Sequence, residues 1–235
     1  MSVTEDAGVR GVVLACGGFS AGFAEAGDVR VVPVPARPGK ADVDPLLGES
    51  DWFVVAGTDA DLAAVVLRLL RKEQLHGVSV GFVPSSPRSA FAEIWGLPTD
   101  PADALELALH GDVDPVPLIR NDSGGVLVGR GRIGPVDGVA YCDEKVALRG
   151  AAKVIEVEPD GSGGPGLTVR VVRGALFKMP LFKMPLFKHT ETFSTRAFQL
   201  GADPVQPESD GVVFPRAVEK WTWYRHTEDL RLVRR

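Results

Sequence analysis

The chain has 235 residues and a formal net charge of −5 at pH 7; 45% of the side chains are hydrophobic and 24% charged. This is the balance of an ordinary globular protein, long enough for one large domain or two small ones, each with a real core. The acidic charge gives no basis for broad nucleic-acid binding, and no apolar run approaches the ~20 residues of a membrane span.

In chain order, residues 10–15 read as a strand and residues 29–34 as a second, valine-rich one closed by prolines. Residues 51–56 (DWFVVA) form a third, ending at Gly57. Leu62, Val65, Val66, Leu69 and Leu70 then recur at helical spacing. His76-Gly77 stops that helix, and residues 78–83 make a fourth strand closed by Pro84. Strands alternating with helices predict a parallel sheet covered by helices. Residues 87–97 open as a loop and continue as a helix. PADALELALH, from Pro101 to His110, is a further helix, with Asp103 in its first turn and Gly111 just behind it.

Past residue 117 the pattern changes. Residues 126–133, 139–142, 153–158, 167–172 and 221–226 are strand-like, and glycine-rich turns such as DGSGGPG separate them. This predicts an antiparallel β-sandwich. The expected architecture is an α/β lobe over residues 1–118 followed by a β-sandwich lobe over residues 119–235. Edge strands in the second lobe would allow a homodimer.

Cys16 and Cys142 are the only two cysteines, which support neither a zinc site nor a disulfide framework. Val12 to Cys16 followed by Gly17 has the outline of a lipoprotein cleavage site. However, Glu5 and Asp6 stand where a basic start and a long apolar segment belong. The expectation is a cytoplasmic protein, at most peripheral to a membrane.

The repeat LFKMPLFKMPLFK, from Leu176 to Lys188, sets Phe177, Phe182 and Phe187 beside Lys178, Lys183 and Lys188. A period of five suits neither helix nor strand, and Pro180 and Pro185 oppose both. One reading is an exposed loop whose apolar and basic teeth touch a membrane surface or a protein partner. The other is a coil whose Phe and Leu side chains pack on the sandwich.

The segment with most chemical content runs from the third strand through Gly57, Thr58, Asp59, Ala60 and Asp61 into a helix. A strand, a small-residue turn and a helix start present backbone N–H groups to an anion. Gly57 lets the backbone approach closely, and Thr58 offers a hydroxyl. Asp59 and Asp61 repel phosphate unless a cation lies between, and either is also a natural N-cap. Further on, Ser85, Ser86 and Ser89 could bond a nucleotide or satisfy a turn. Arg88 has the guanidinium geometry that suits phosphate, or is a solvated loop side chain.

VVAGTDADLAAVVLRLL resembles the segment built around GGDGT in diacylglycerol, sphingosine and related lipid kinases. Gly57 and Asp59 keep that pattern; Thr58 and Ala60 replace glycines, and Asp61 replaces the threonine. The stretch from Gly81 to Leu118 resembles the family's second nucleotide-contacting block. Pro84, Phe91, Ala92, Gly96, Leu97 and Pro98 fall in place, while Ser86, Pro87, Arg88, Ser89 and Ala90 stand where GTxND would be. Gly164-Pro165-Gly166-Leu167 replaces the Asp-Asp-Gly-Leu segment that carries a catalytic aspartate, and Val212 replaces the Glu of a closing Asp-Gly-Glu.

The resemblance implies an NAD-kinase-like fold: a Rossmann-like parallel α/β lobe and an antiparallel β-sandwich lobe. It implies ATP and Mg²⁺ as cofactors. Gly57, Thr58, Asp59, Ser85, Ser86, Arg88 and Ser89 would be the nucleotide-binding positions, and Asp59 both the surviving Mg²⁺-network carboxylate and the catalytic candidate. Phosphoryl transfer rests on positioning and charge neutralisation, and each lost oriented donor removes ~3–4 kcal/mol of transition-state stabilisation. The expectation is therefore a lipid-kinase-like protein with degenerate phosphoryl-transfer motifs, binding a lipid, another small-molecule ligand or a partner without efficient kinase activity. The alternatives are an active ATP-dependent kinase of a lipid or small hydroxylated acceptor, or an unrelated activity on the same fold.

Overall fold

Four apolar runs of the first third become parallel strands: β1 (Gly11–Cys16), β2 (Val29–Val34), β3 (Trp52–Gly57) and β4 (Ser79–Pro84), side by side in the order β2-β1-β3-β4. β1 and β4 are buried along their whole length, as unbroken apolar strands in a sheet covered on both faces must be. The computed structural model describes residues 11–19, 29–174 and 189–235. The Leu176-to-Lys188 repeat and its expected contacts lie outside the described residues.

Among the described residues, α1 (Lys40–Val43) lies between β2 and β3, α2 (Asp59–Arg71) between β3 and β4, and α3 (Ala90–Trp95) and α4 (Pro101–His110) follow β4. α2 buries Leu62, Val65, Val66 and Leu69, the side chains that its spacing marked. α3 stops at Gly96, whose φ of 66° suits glycine in the left-handed region. Asp100 caps α4 by accepting from the Ala102 and Asp103 N–H groups. α4 then lies flat on β4: a Cβ at Gly81 would stand 2.7 Å from the Ala108 Cβ. Trp52 Nε1 donates to the Ala108 carbonyl at 2.9 Å, which fixes the same helix to β3.

The chain divides into two compact units, Met1–Val116 together with Glu228–Arg235, and Pro117–Thr227. A single cut near residue 118 therefore misplaces the end of the chain. The C-terminal strand Leu230–Val233 belongs to the first sheet. It is parallel to β4 and antiparallel to β5 (Val113–Val116). A buried LRLV run satisfies either sheet equally well, and nothing local in it specifies which.

The second unit holds β6 (Ile119–Asn121), β7 (Val126–Leu127), β8 (Gly131–Ile133), β9 (Val136–Cys142), β10 (Lys145–Ala152) and β11 (Val154–Pro159). It continues with β12 (Leu167–Arg173), β13 (His189–Thr195), β14 (Ala197–Val205), β15 (Glu208–Ser209), β16 (Val212–Val213) and β17 (Val218–Arg225). They form two antiparallel sheets, β10-β9-β14-β17-β6-β7 and β13-β12-β11-β8-β15-β16. Inward side chains from both sheets share one core, including Phe198, Trp221 and Trp223 from one and Ile155, Val169 and Val171 from the other. This is the expected β-sandwich. The run 126–133 is not one strand, however. The Val128 and Gly129 N–H groups leave the ladder and donate to the Asp210 carboxylate at 3.0 and 2.7 Å, and β8 enters the other sheet.

Candidate functional site

The carboxyl ends of β3 and β4 bring together the two segments that carry the sequence signal. Gly57 and Pro84 are register partners, and the Ser85 N–H donates to the Gly57 carbonyl at 2.7 Å. The turn after β3 and the 85–89 loop are thus adjacent strand-to-helix connections, the position where open parallel sheets hold ligands.

In the first turn, the N-cap of α2 is Thr58 rather than either aspartate. Its hydroxyl accepts from the Asp61 N–H at 3.2 Å and donates to Asp61 Oδ2 at 2.7 Å, while its own N–H donates to the same oxygen at 2.8 Å. The Arg37 N–H, at a residue with φ of 52°, donates to Asp61 Oδ1 at 2.6 Å. Asp61 is 3% exposed, so a charge there must be fully partnered by the chain, and these donors do it. Thr58 and Asp61, three residues apart, form a capping box, which is visible in the sequence as T-x-x-D before an apolar run. No local pattern marked Arg37.

Gly57 is where the backbone itself leaves no room. A Cβ there would lie 2.6 Å from Asp61 Oδ2 and 3.0 Å from the Cys16 Cβ. Its glycine answers the close approach of Asp61. Burial pushes the Cys16 thiol up to about 12, and the Asp61 charge adds to the rise. Burial, with Asp143 adding, does the same to Cys142. Both are therefore packing groups rather than nucleophiles.

Asp59, half-buried in the first turn of α2, points to the start of α3. Its Oδ1 accepts from the Ser89 hydroxyl, and its Oδ2 from the Ala90 and Phe91 N–H groups at 2.8 and 3.3 Å. Ser89, buried, is also the N-cap of α3, its Oγ accepting from the Ala92 N–H at 3.0 Å. Asp59 and Ser89 are thus in direct contact. Ser86 Oγ accepts from the Arg88 N–H at 3.2 Å, a turn contact. Ser85, Ser86 and Arg88 are exposed. Among the described residues, no group of three or more His, Cys, Asp or Glu side chains is placed to hold a metal ion.

In the second unit the Gly164-to-Leu167 segment packs around Asp160, which is 2% exposed. Asp160 accepts from the Ser162 hydroxyl and N–H and from the Ser194 hydroxyl. Burial works to raise its carboxyl, but these hydrogen bonds and one from the Gly164 N–H hold it below the usual range. A Cβ at Gly164 would stand 2.0 Å from Asp160 Oδ2, so glycine is required at that position by contact with the carboxylate. Asp210, paired in the sequence with Gly211, has φ of 52° and holds Val128 and Gly129 as described. Both acids act as loop fasteners.

Known structures share this architecture. A diacylglycerol kinase from Bacillus anthracis str. Sterne matches with a TM-score of 0.72 at 13% identity, over 97% of this chain and 97% of that one. An NAD kinase from Archaeoglobus fulgidus in complex with ATP matches with a TM-score of 0.56 at 11% identity, over 95% of this chain and 92% of that one. No protein-family model and no curated protein sequence matches the chain. The chain has the fold common to diacylglycerol kinases and NAD kinases, as its framework residues implied. Among the described residues, no helix is long and apolar enough to cross a membrane.

Proposed function

We propose that this protein is a ligand- or partner-binding relative of the lipid kinases that does not transfer phosphate. The observation carrying this reading is the engagement of Asp59 and Asp61 by the protein's own donors. Asp59 is taken up by Ser89, Ala90 and Phe91, and Asp61 by Thr58 and Arg37. A nucleotide with Mg²⁺ needs free N–H groups facing its phosphates and a carboxylate facing the metal. Here the Thr58 and Arg37 N–H groups face a fixed negative charge, and both Asp59 oxygens face protein donors. The residues at this turn do not fit that pair, and no phosphoryl-transfer step is assigned to them.

Calorimetry with ATP and MgCl₂ on the full chain tests the reading, with an assay for phosphate transfer to a diacylglycerol in mixed micelles. The expected result is no saturable heat at millimolar ATP and no phosphorylated lipid. Saturable ATP binding that disappears in Asp59→Ala and Asp59→Asn, together with lipid turnover, would overturn it and restore the active-kinase alternative.

A further inference from the structure

β13 is an edge of its sheet. Among the described residues its ladder partner is β12 alone, and the pairing runs without a bulge from Leu167–Thr195 to Arg173–His189. The strand has 7 residues and no proline. Its one acidic side chain, Glu191, is taken up by His189 at 3.0 Å and Arg173 at 3.6 Å. Sheets commonly blunt an edge with a bulge, a proline or a lysine, and β13 has none of these.

The backbone groups that this edge presents follow from one hydrogen bond. The Lys153 N–H, just ahead of β11, donates to the Val172 carbonyl at 2.9 Å. Val172 therefore turns its backbone groups to β11, while Val171 and Val169, odd steps away, turn theirs to β13. Their register partners Glu191 and Phe193 turn back to β12. Thr190, Thr192 and Ser194 are left with N–H and C=O directed out of the sheet. These three residues are exposed, and Phe193 between them packs on the sandwich core. A cavity of about 590 Å³ lies between residues 192–194 and residues 142–145, so this stretch of the edge is open.

We propose that β13 pairs with β13 of a second copy of this chain, antiparallel, about a two-fold axis at Thr192. Outward-turned residues must meet outward-turned residues, so the axis falls at a residue rather than between two. An axis at Glu191 sets two carboxylates directly opposite, which destabilises a ladder. An axis at Phe193 engages only residues 191–195 of the strand, and axes nearer its ends engage fewer. An axis at Thr192 uses the whole strand. Thr192 then meets Thr192 of the partner copy, Thr190 meets Ser194, Glu191 meets Phe193 and His189 meets Thr195. Hydroxyl faces hydroxyl along the outer surface, and no like charges are opposed. The alternating row Glu208, Arg132, Glu156, Arg170 crosses the sheet and ends at Thr192, which leaves the seam uncharged. The two sheets become one, through an isologous interface. The inference is independent of whether the turn at Gly57 binds a nucleotide.

Sedimentation of the full chain tests it, with circular dichroism confirming that each variant is folded. The native chain is expected to be a dimer at about 100 μM. Thr192→Glu and Thr192→Lys should each weaken the dimer at least about tenfold, by setting like charges opposite one another. Mixing these two variants should restore it, because residue 192 meets its own copy in this register. Thr192→Pro should weaken the dimer without charge, since the N–H it removes points away from β12. The proposal is overturned by a native chain that is monomeric at that concentration, by a dimer that none of the substitutions weakens, or by a mixture of the Glu and Lys variants that stays monomeric.

Discussion

Both units bury acidic side chains, and Asp61 of the first and Glu158 of the second are partnered differently. In the first, Asp61 is held by two backbone N–H groups and one hydroxyl, all from short connections at the carboxyl ends of strands. In the second, Glu158, 4% exposed, is held by the guanidinium groups of Arg130 and Arg170, whose side chains are 35% and 39% exposed. A backbone donor cannot swing to water when its acceptor is removed, whereas a half-exposed arginine can. The same degree of burial therefore predicts different sensitivities, and the turn at Gly57 should be the more brittle of the two places.

The largest effect should come from Asp61→Ala. It strands the Arg37 and Thr58 N–H groups and unties the capping box, and should lower stability by about 3 kcal/mol in urea denaturation. Gly57→Ala should lower it by about 2 kcal/mol through overpacking against Asp61. It should lower it by less when Asp61→Ala is already present, and that non-additivity locates the clash. Glu158→Ala comes next, at about 1–2 kcal/mol, since Arg130 and Arg170 rehydrate. A loss equal to that of Asp61→Ala would break the contrast between these two carboxylates.

Asp160→Asn should remove about 1 kcal/mol at neutral pH. Its folded-state carboxyl lies below the ordinary value. The stabilisation is therefore present above about pH 4 and is lost as the pH falls through the depressed value. Wild type and variant should converge in acid, and denaturation curves at pH 7 and pH 3 check this. The smallest effect concerns the thiols. With Cys16 and Cys142 pushed up to about 12, alkylation at pH 8 should be negligible in the native protein and reach both cysteines in urea. Mass spectrometry reads the difference.

Much of the framework was legible in the residues. The runs that became β1, β3 and β4 are apolar throughout because both faces of their sheet are covered, and the α2 spacing marks its buried stripe. The polar details were less so. Thr58 and Asp61 suit a ligand turn by residue type, and only their three-residue spacing ahead of an apolar run marks each as the other's partner. Ser89 meets Asp59 only because β3 and β4 are neighbours, a contact across thirty positions. The placement of Leu230–Val233 was hidden for the same reason, since its partners on β4 and β5 are set by topology rather than by its own pattern.

That last strand has a consequence for how the protein is made. The first sheet places Leu230–Val233 between β4 and β5, so its hydrogen-bond ladder stays open until that strand has been synthesised. The second unit, Pro117–Thr227, leaves the ribosome before that strand does. The usual order of N-terminal domain first is thereby reversed. The nested β-sandwich can close during translation, while the α/β sheet waits with two unpaired strand edges exposed. Removing Glu228–Arg235 should leave the first unit prone to edge-to-edge association, even though every residue of the turn at Gly57 is still in the chain.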